Sequence, residues 1–195
     1  MERRTHTVKW LQVLSWVAVA SLVNSILNWI PAVPGNITTW ISRGIMAAAA
    51  FCMFQLAPDG VSYQRAGFSR LVMLGCALVT SFLFGSYALT GLAFVASLIA
   101  VYQEYYAHSQ LVSEADGVLS RNWYGLFWWQ IAASILLTVG SSVAAVLIMA
   151  SDRQVDASRL SGLVISILEL PRFVLSVIYL SYLKKTVDCL SNSGK

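Results

Sequence analysis

Charge is scarce in this chain. Of 195 residues, 13 are Lys or Arg and 9 are Asp or Glu, 11% in all, where a soluble domain carries about a quarter. So little polar surface cannot coat a water-soluble globule, which excludes an ordinary soluble enzyme or binding domain. Histidine occurs twice and cysteine three times. Cys52, Cys76 and Cys189 form no C-x-x-C pair, and two of them fall inside apolar runs, which argues against a disulfide framework and against a zinc site. Nucleotide and hydrolase signatures are missing as well: there is no G-x-x-x-x-G-K-[ST], no G-x-G-x-x-G between a strand and a helix, no H-E-x-x-H and no G-x-S-x-G. No cofactor, metal or catalytic residue is therefore assigned, and no long polar loop suggests a receptor-like or junction-like protein.

What fills the chain is hydrophobic sequence, 57% of residues with a mean hydropathy of +0.68. It falls into six runs of roughly bilayer-spanning length, at approximately 10–30, 38–57, 70–87, 90–107, 125–150 and 160–183. Only helices satisfy their own backbone in hydrocarbon, and a transmembrane barrel would show shorter alternating segments. The expectation is an all-α, polytopic membrane bundle occupying residues 1–195 as one domain. Breakers fall at the proposed ends: Pro31 and Pro34-Gly35 after the first run, Pro58-Asp59-Gly60 after the second, Leu89-Thr90-Gly91 between the third and fourth. That last link is so tight that an irregular hairpin over 70–107 is the alternative to two spans. Arg3, Arg4 and Lys9 before Ala18-Val19-Ala20 imitate a signal peptide, but the apolar run continues to Ile30, as in a signal-anchor span.

Basic residues orient the chain. A cytoplasmic amino terminus puts Arg3, Arg4, Lys9, Arg65, Arg70, Arg121, Lys184, Lys185 and Lys195 inside, and only Arg153 and Arg159 outside. Both termini are thus expected in the cytoplasm. The net charge of +4 then serves orientation and contact with anionic lipid, with no nucleic acid implied. Trp10, Trp29, Trp40, Trp123, Trp128 and Trp129 fall near the expected membrane interfaces. The sequon Asn36-Ile37-Thr38 lies on the outer side, too close to the membrane for a glycan. Small residues recur every fourth position at Ala77, Ser81 and Gly85, again at Ala96 and Ala100, and again at Gly140 and Ala144. The first two stripes predict a close hairpin of spans three and four.

Polar residues inside the spans are the candidates for function. Ser21, Asn24, Ser25 and Asn28 follow helical spacing and form a stripe that must face protein or water. In span six, Glu169 and Arg172 flank Pro171, whose missing N–H predicts a kink; a charge at that depth costs at least about 2.5–3.5 kcal/mol unless compensated. Arg43 and Glu169 come within about 6 Å in depth by helical rise, so they are expected to meet, with Asn24 or Asn28 nearby and Arg172 pointing toward the cytoplasmic half. At the end of span four, Glu104 and His108 share a helix face, the spacing of an acid–base dyad or half a metal site. Without further ligands, and with Tyr102, Tyr105 and Tyr106 read as interfacial anchors, this is the weaker site. Ser113-Glu114-Ala115-Asp116 and Ser120 supply helix-start residues for span five.

Phe54-Gln55-Leu56, Tyr105 to Ser109, Leu119 to Trp123 and Tyr179 to Thr186 are the stretches by which the chain resembles uncharacterised multi-spanning bacterial membrane proteins. That resemblance implies a bacterial plasma-membrane location and transfers no functional residue. The leading expectation is a non-enzymatic accessory or assembly subunit, which binds lipid and, within the bilayer, another membrane protein or a second copy. A small-solute or ion permease using Glu169 is the alternative, and an intramembrane enzyme the third.

Overall fold

The computed structural model describes residues 2–30, 32–82, 87–149 and 154–192; the side chains of 2, 82, 87, 138, 141–142, 144–145, 147–149 and 154–168 lie outside that description. Among the described residues the chain is all-helical, with no strand. Six long helices follow one another: α1 (Glu2–Asn28), α2 (Gly35–Leu56), α3 (Val61–Phe82), α4 (Tyr87–Val112), α5 (Gly117–Met149) and α6 (Gln154–Asn192), with a 3-10 turn at Ala57–Asp59 between α2 and α3. Among the described residues, three segments are long and apolar enough to cross a membrane: Arg3–Asn28, Gly35–Asp59 and Ala88–Val112.

Local chemistry accounts for the helix ends. Pro34 holds an extended conformation immediately before α2, and Pro58 sits in the 3-10 turn, where its missing N–H costs nothing. Asp116 caps α5, its carboxylate accepting from the Val118 and Leu119 amides at 3.0 and 2.9 Å. α1 begins well before the apolar run because its first turns are anchored: Arg3 donates to the Pro58 carbonyl and pairs with Asp59, and the Thr7 hydroxyl donates to the other Asp59 oxygen at 2.7 Å. Residues 70–107 form two helices, as expected first, with their link at 83–86 and Gly85 outside the described residues. α6 continues through Pro171.

Each helix packs on the next, and α6 returns to pack on α1, so the six form a closed ring; α4 also touches α6 across it. Alternating direction brings the start of α1, the α2–α3 turn, the end of α4, the start of α5 and the end of α6 to one pole, which carries both termini. That terminal pole holds the main core, built around Leu11, Met53, Leu56, Tyr63, Trp123 and Leu183, all essentially inaccessible. α3 and α4 share the most extensive interface, and Ala96 and Ala100 are buried, as their spacing predicted. Ser81 departs from that expectation: it is exposed and binds Arg43 of α2. A close approach of α2 and α3 occurs instead at buried Gly67, where a Cβ would meet the Phe54 ring at 3.2 Å.

Candidate functional site

At the centre of the ring lies a cavity of about 160 Å³ to which every helix contributes a wall. Leu14, Val17, Ala18 and Ser21 come from α1, Ile45 and Ala49 from α2, and Arg70 from α3. Val101, Glu104 and Tyr105 come from α4, Gln130 from α5, Ser176 and Tyr179 from α6. Convergence on one axis follows from helical periodicity. On α1 the wall residues recur every three or four positions, so an amphipathic stripe turns into a continuous lining. A space of this size accommodates roughly five waters at about 30 Å³ each.

Its floor, toward the terminal pole, is a polar network centred on Glu104, only 1% exposed. One carboxylate oxygen of Glu104 pairs with the Arg70 guanidinium, and the other accepts from the Tyr179 hydroxyl. His108, wholly buried one turn further along α4, approaches that second oxygen with Nε2 at 3.9 Å. Its Nδ1 lies 2.9 Å from the Tyr63 hydroxyl. Tyr63 precedes the apolar run of α3, and burial pushes its hydroxyl well above the ordinary tyrosine range. A protonated Tyr63 donating to Nδ1 places the ring proton on Nε2, facing the carboxylate. The opposite tautomer would point a lone pair at that anion, so electrostatics selects the first.

Aromatic rings seal the network from below. Trp123 packs against His108 with centroids 4.6 Å apart, and its indole N–H donates to Thr186 at 3.0 Å. Tyr105 stacks on Tyr179 at 5.6 Å. The ion pair thus lies between a dense aromatic layer and the cavity. Charges this deep need a close partner, because an unpaired one costs several kcal/mol; Arg70 and Glu104 provide it for one another. The cavity therefore presents a charge-balanced wall that also carries the polar side chains of Ser21, Gln130 and Ser176.

Glu104 and His108, read as the weaker site, are thus the centre of the buried network. Tyr105 and Trp123 are core residues here, in place of the interfacial role their position suggested, whereas Tyr102 and Tyr106 are exposed. Sequence reasoning missed Tyr63, Arg70, Tyr179 and Thr186. Arg70 alone carried a signal: it is a cation within the early turns of a span, which counting it for orientation had absorbed.

The outer candidates are arranged differently from the expectation. Arg43 donates to the Ala77 carbonyl at 3.2 Å and to Ser81 of α3, with its guanidinium over the Trp40 ring. Glu169 accepts from the Trp29 indole at 3.1 Å. No ion pair joins Arg43 to Glu169, or Glu169 to Arg172, among these described side chains: Ser81 of α3 takes Arg43, and Trp29, just past the end of α1, takes Glu169. Arg172 is exposed, as is Asn28. Asn24 is buried with its side-chain oxygen unpartnered, and Ser21 lines the cavity, so part of the α1 stripe faces the ring interior. Among the described residues no group of three His, Cys, Asp or Glu side chains is placed to hold a metal ion.

No known protein family matches the chain. No curated protein and no solved structure is significantly similar to it.

Proposed function

We propose that this chain is an integral membrane protein whose six helices all cross the bilayer, with both termini cytoplasmic, and that it is a permease for a small, neutral, hydrogen-bonding solute. The observation that carries the reading is the central cavity. Six helices from the full length of the chain converge on one small space whose polar groups are Ser21, Gln130, Ser176, Arg70, Glu104 and the tyrosines. A purely structural bundle gains more from filling such a space with apolar side chains. Because Arg70 already neutralises Glu104, an ion would meet no net charge there, whereas a neutral solute would find donors and acceptors. The terminal pole is closed beneath it by Trp123 and its neighbours, so the described arrangement is one state of an alternating cycle. The basic asymmetry and the anionic cytoplasmic leaflet support the orientation, and a bacterial plasma membrane is the location in keeping with it. An accessory subunit binding a partner within the bilayer has no single observation of equal weight behind it.

Osmotic swelling of proteoliposomes tests the reading directly, with urea and glycerol as neutral probes and potassium chloride as the ionic one. The wild-type protein should accelerate swelling with at least one neutral probe and not with the salt. Gln130→Leu combined with Ser176→Leu, which narrows the cavity without touching the ion pair, should remove that acceleration while the protein stays folded. Rates equal to protein-free vesicles for every probe would overturn it.

A further inference from the structure

A second concavity lies outside the ring, between α5 and α6, with a volume of about 900 Å³. It falls within the ligand-pocket range of roughly 300–1,000 Å³. Its two ends differ. At the terminal pole it is lined by Arg121, Asn122 and Tyr182, and further along by Ala132, Leu136, Leu170 and Pro171, with nothing but apolar side chains at the far end. Arg121 and Asn122 are exposed, and among the described residues neither takes part in an ion pair or side-chain hydrogen bond. The Lys185 ammonium lies 5.9 Å from the centre of the Tyr182 ring, so a second cation stands beside the same mouth.

The dimensions match a specific occupant. From Arg121 to Leu136, α5 rises roughly 22 Å. Half of a bilayer, headgroups included, is about 20–22 Å thick. The groove therefore runs the depth of one leaflet, with its cations at headgroup level and its apolar end near the midplane. Gly125 keeps the upper part wide, since a Cβ built there meets nothing within 4 Å.

We propose that this groove is a specific site for an anionic phospholipid, its phosphate held by Arg121 and Lys185 and its acyl chain lying along α5 and α6. The inference rests on the membrane orientation but not on the central cavity, so failure of the permease reading leaves it standing. Phospholipids in the cytoplasmic leaflet carry the matching charge, and one Lys or Arg at that surface contributes about 1 kcal/mol of attraction.

Native mass spectrometry of the delipidated protein, titrated with dioleoyl-phosphatidylglycerol or dioleoyl-phosphatidylcholine, provides the test. The wild type should retain phosphatidylglycerol preferentially. Arg121→Gln should reduce that preference roughly fivefold, the equivalent of one surface cation, and leave phosphatidylcholine binding unchanged. Gly125→Leu, which fills the groove from a position with free space, should weaken both lipids. Equal binding of the two lipids by the wild type would overturn the headgroup assignment, and unaltered binding in Gly125→Leu would overturn the groove. A Gly125→Cys variant that forms disulfide-linked dimers in membranes would replace the lipid by a second copy of the chain.

Discussion

Around Trp123, at the terminal pole, each buried polar side chain has at least one side-chain partner, although Arg70 Nε and His108 Nε2 are left without a hydrogen bond. Glu104 is held by Arg70 and Tyr179, His108 by Tyr63, and the indole itself by Thr186. Around Arg43 and Glu169, toward the opposite pole, the same kinds of side chain hold on to whatever is near: a helix carbonyl, an exposed serine, an exposed indole. Asn24 and Arg43 there retain buried polar atoms without partners. Both regions place charge within helices and solve the problem to different degrees. One is closely packed, with stacked rings and paired ions. The other leaves hydrogen-bonding capacity open.

The two regions should differ most at the ion pair. Arg70→Met strands the Glu104 carboxylate in the core and should destabilise the protein in detergent by about 3–5 kcal/mol, while adding Glu104→Leu should recover much of that loss. Thermal or denaturant unfolding of the single and double variants measures both. If Arg70→Met were no more harmful than Arg43→Met, the two regions would not differ as described. Trp123→Ala should follow closely, at about 3–5 kcal/mol, since it empties an enclosed space and orphans Thr186. Its effect should extend to faster amide exchange at the ends of α4 and α6, read by hydrogen exchange. Gly67→Leu, driven into the Phe54 ring, should cost about 1–3 kcal/mol by forcing α2 and α3 apart. Replacement of Phe54 by Ala in the same chain should relieve it. The smallest change belongs to the open end: Trp29→Phe removes the donor to Glu169 from an exposed indole and should cost no more than about 1.5 kcal/mol. A loss there as large as that of Trp123→Ala would show a second closely packed region where the contacts show a loose one.

Much of the architecture was legible in residue order. The helices, their breaks at Pro34 and Pro58, the packing of α3 on α4 and the burial of Ala96 and Ala100 all follow from period and small-residue spacing. The expected direct contact of Arg43 with Glu169 did not, because depth along two helices says nothing of their rotation or of which neighbour lies between. Ser81 and the Ala77 carbonyl take the Arg43 guanidinium, and no ion pair of Arg43 is present among the described residues. The tyrosines misled for a related reason. Tyr105 and Tyr106 are adjacent in sequence, but a helix turns about 100° per residue, so one stacks in the core and the other faces out.

By itself, the sequence determined the element type. Scarce charge and long apolar runs leave helices as the structure that satisfies its own backbone, whatever lies next to them. Only the tertiary structure decided which polar residues matter. Arg70, Glu104, His108, Tyr63 and Tyr179 come from three helices, and apart from the one-turn spacing of Glu104 and His108 nothing in their positions along the chain marks them as partners. Closure of the ring brings α6 against α1, sets the rotation of each helix about its axis, and so selects which buried charge meets which.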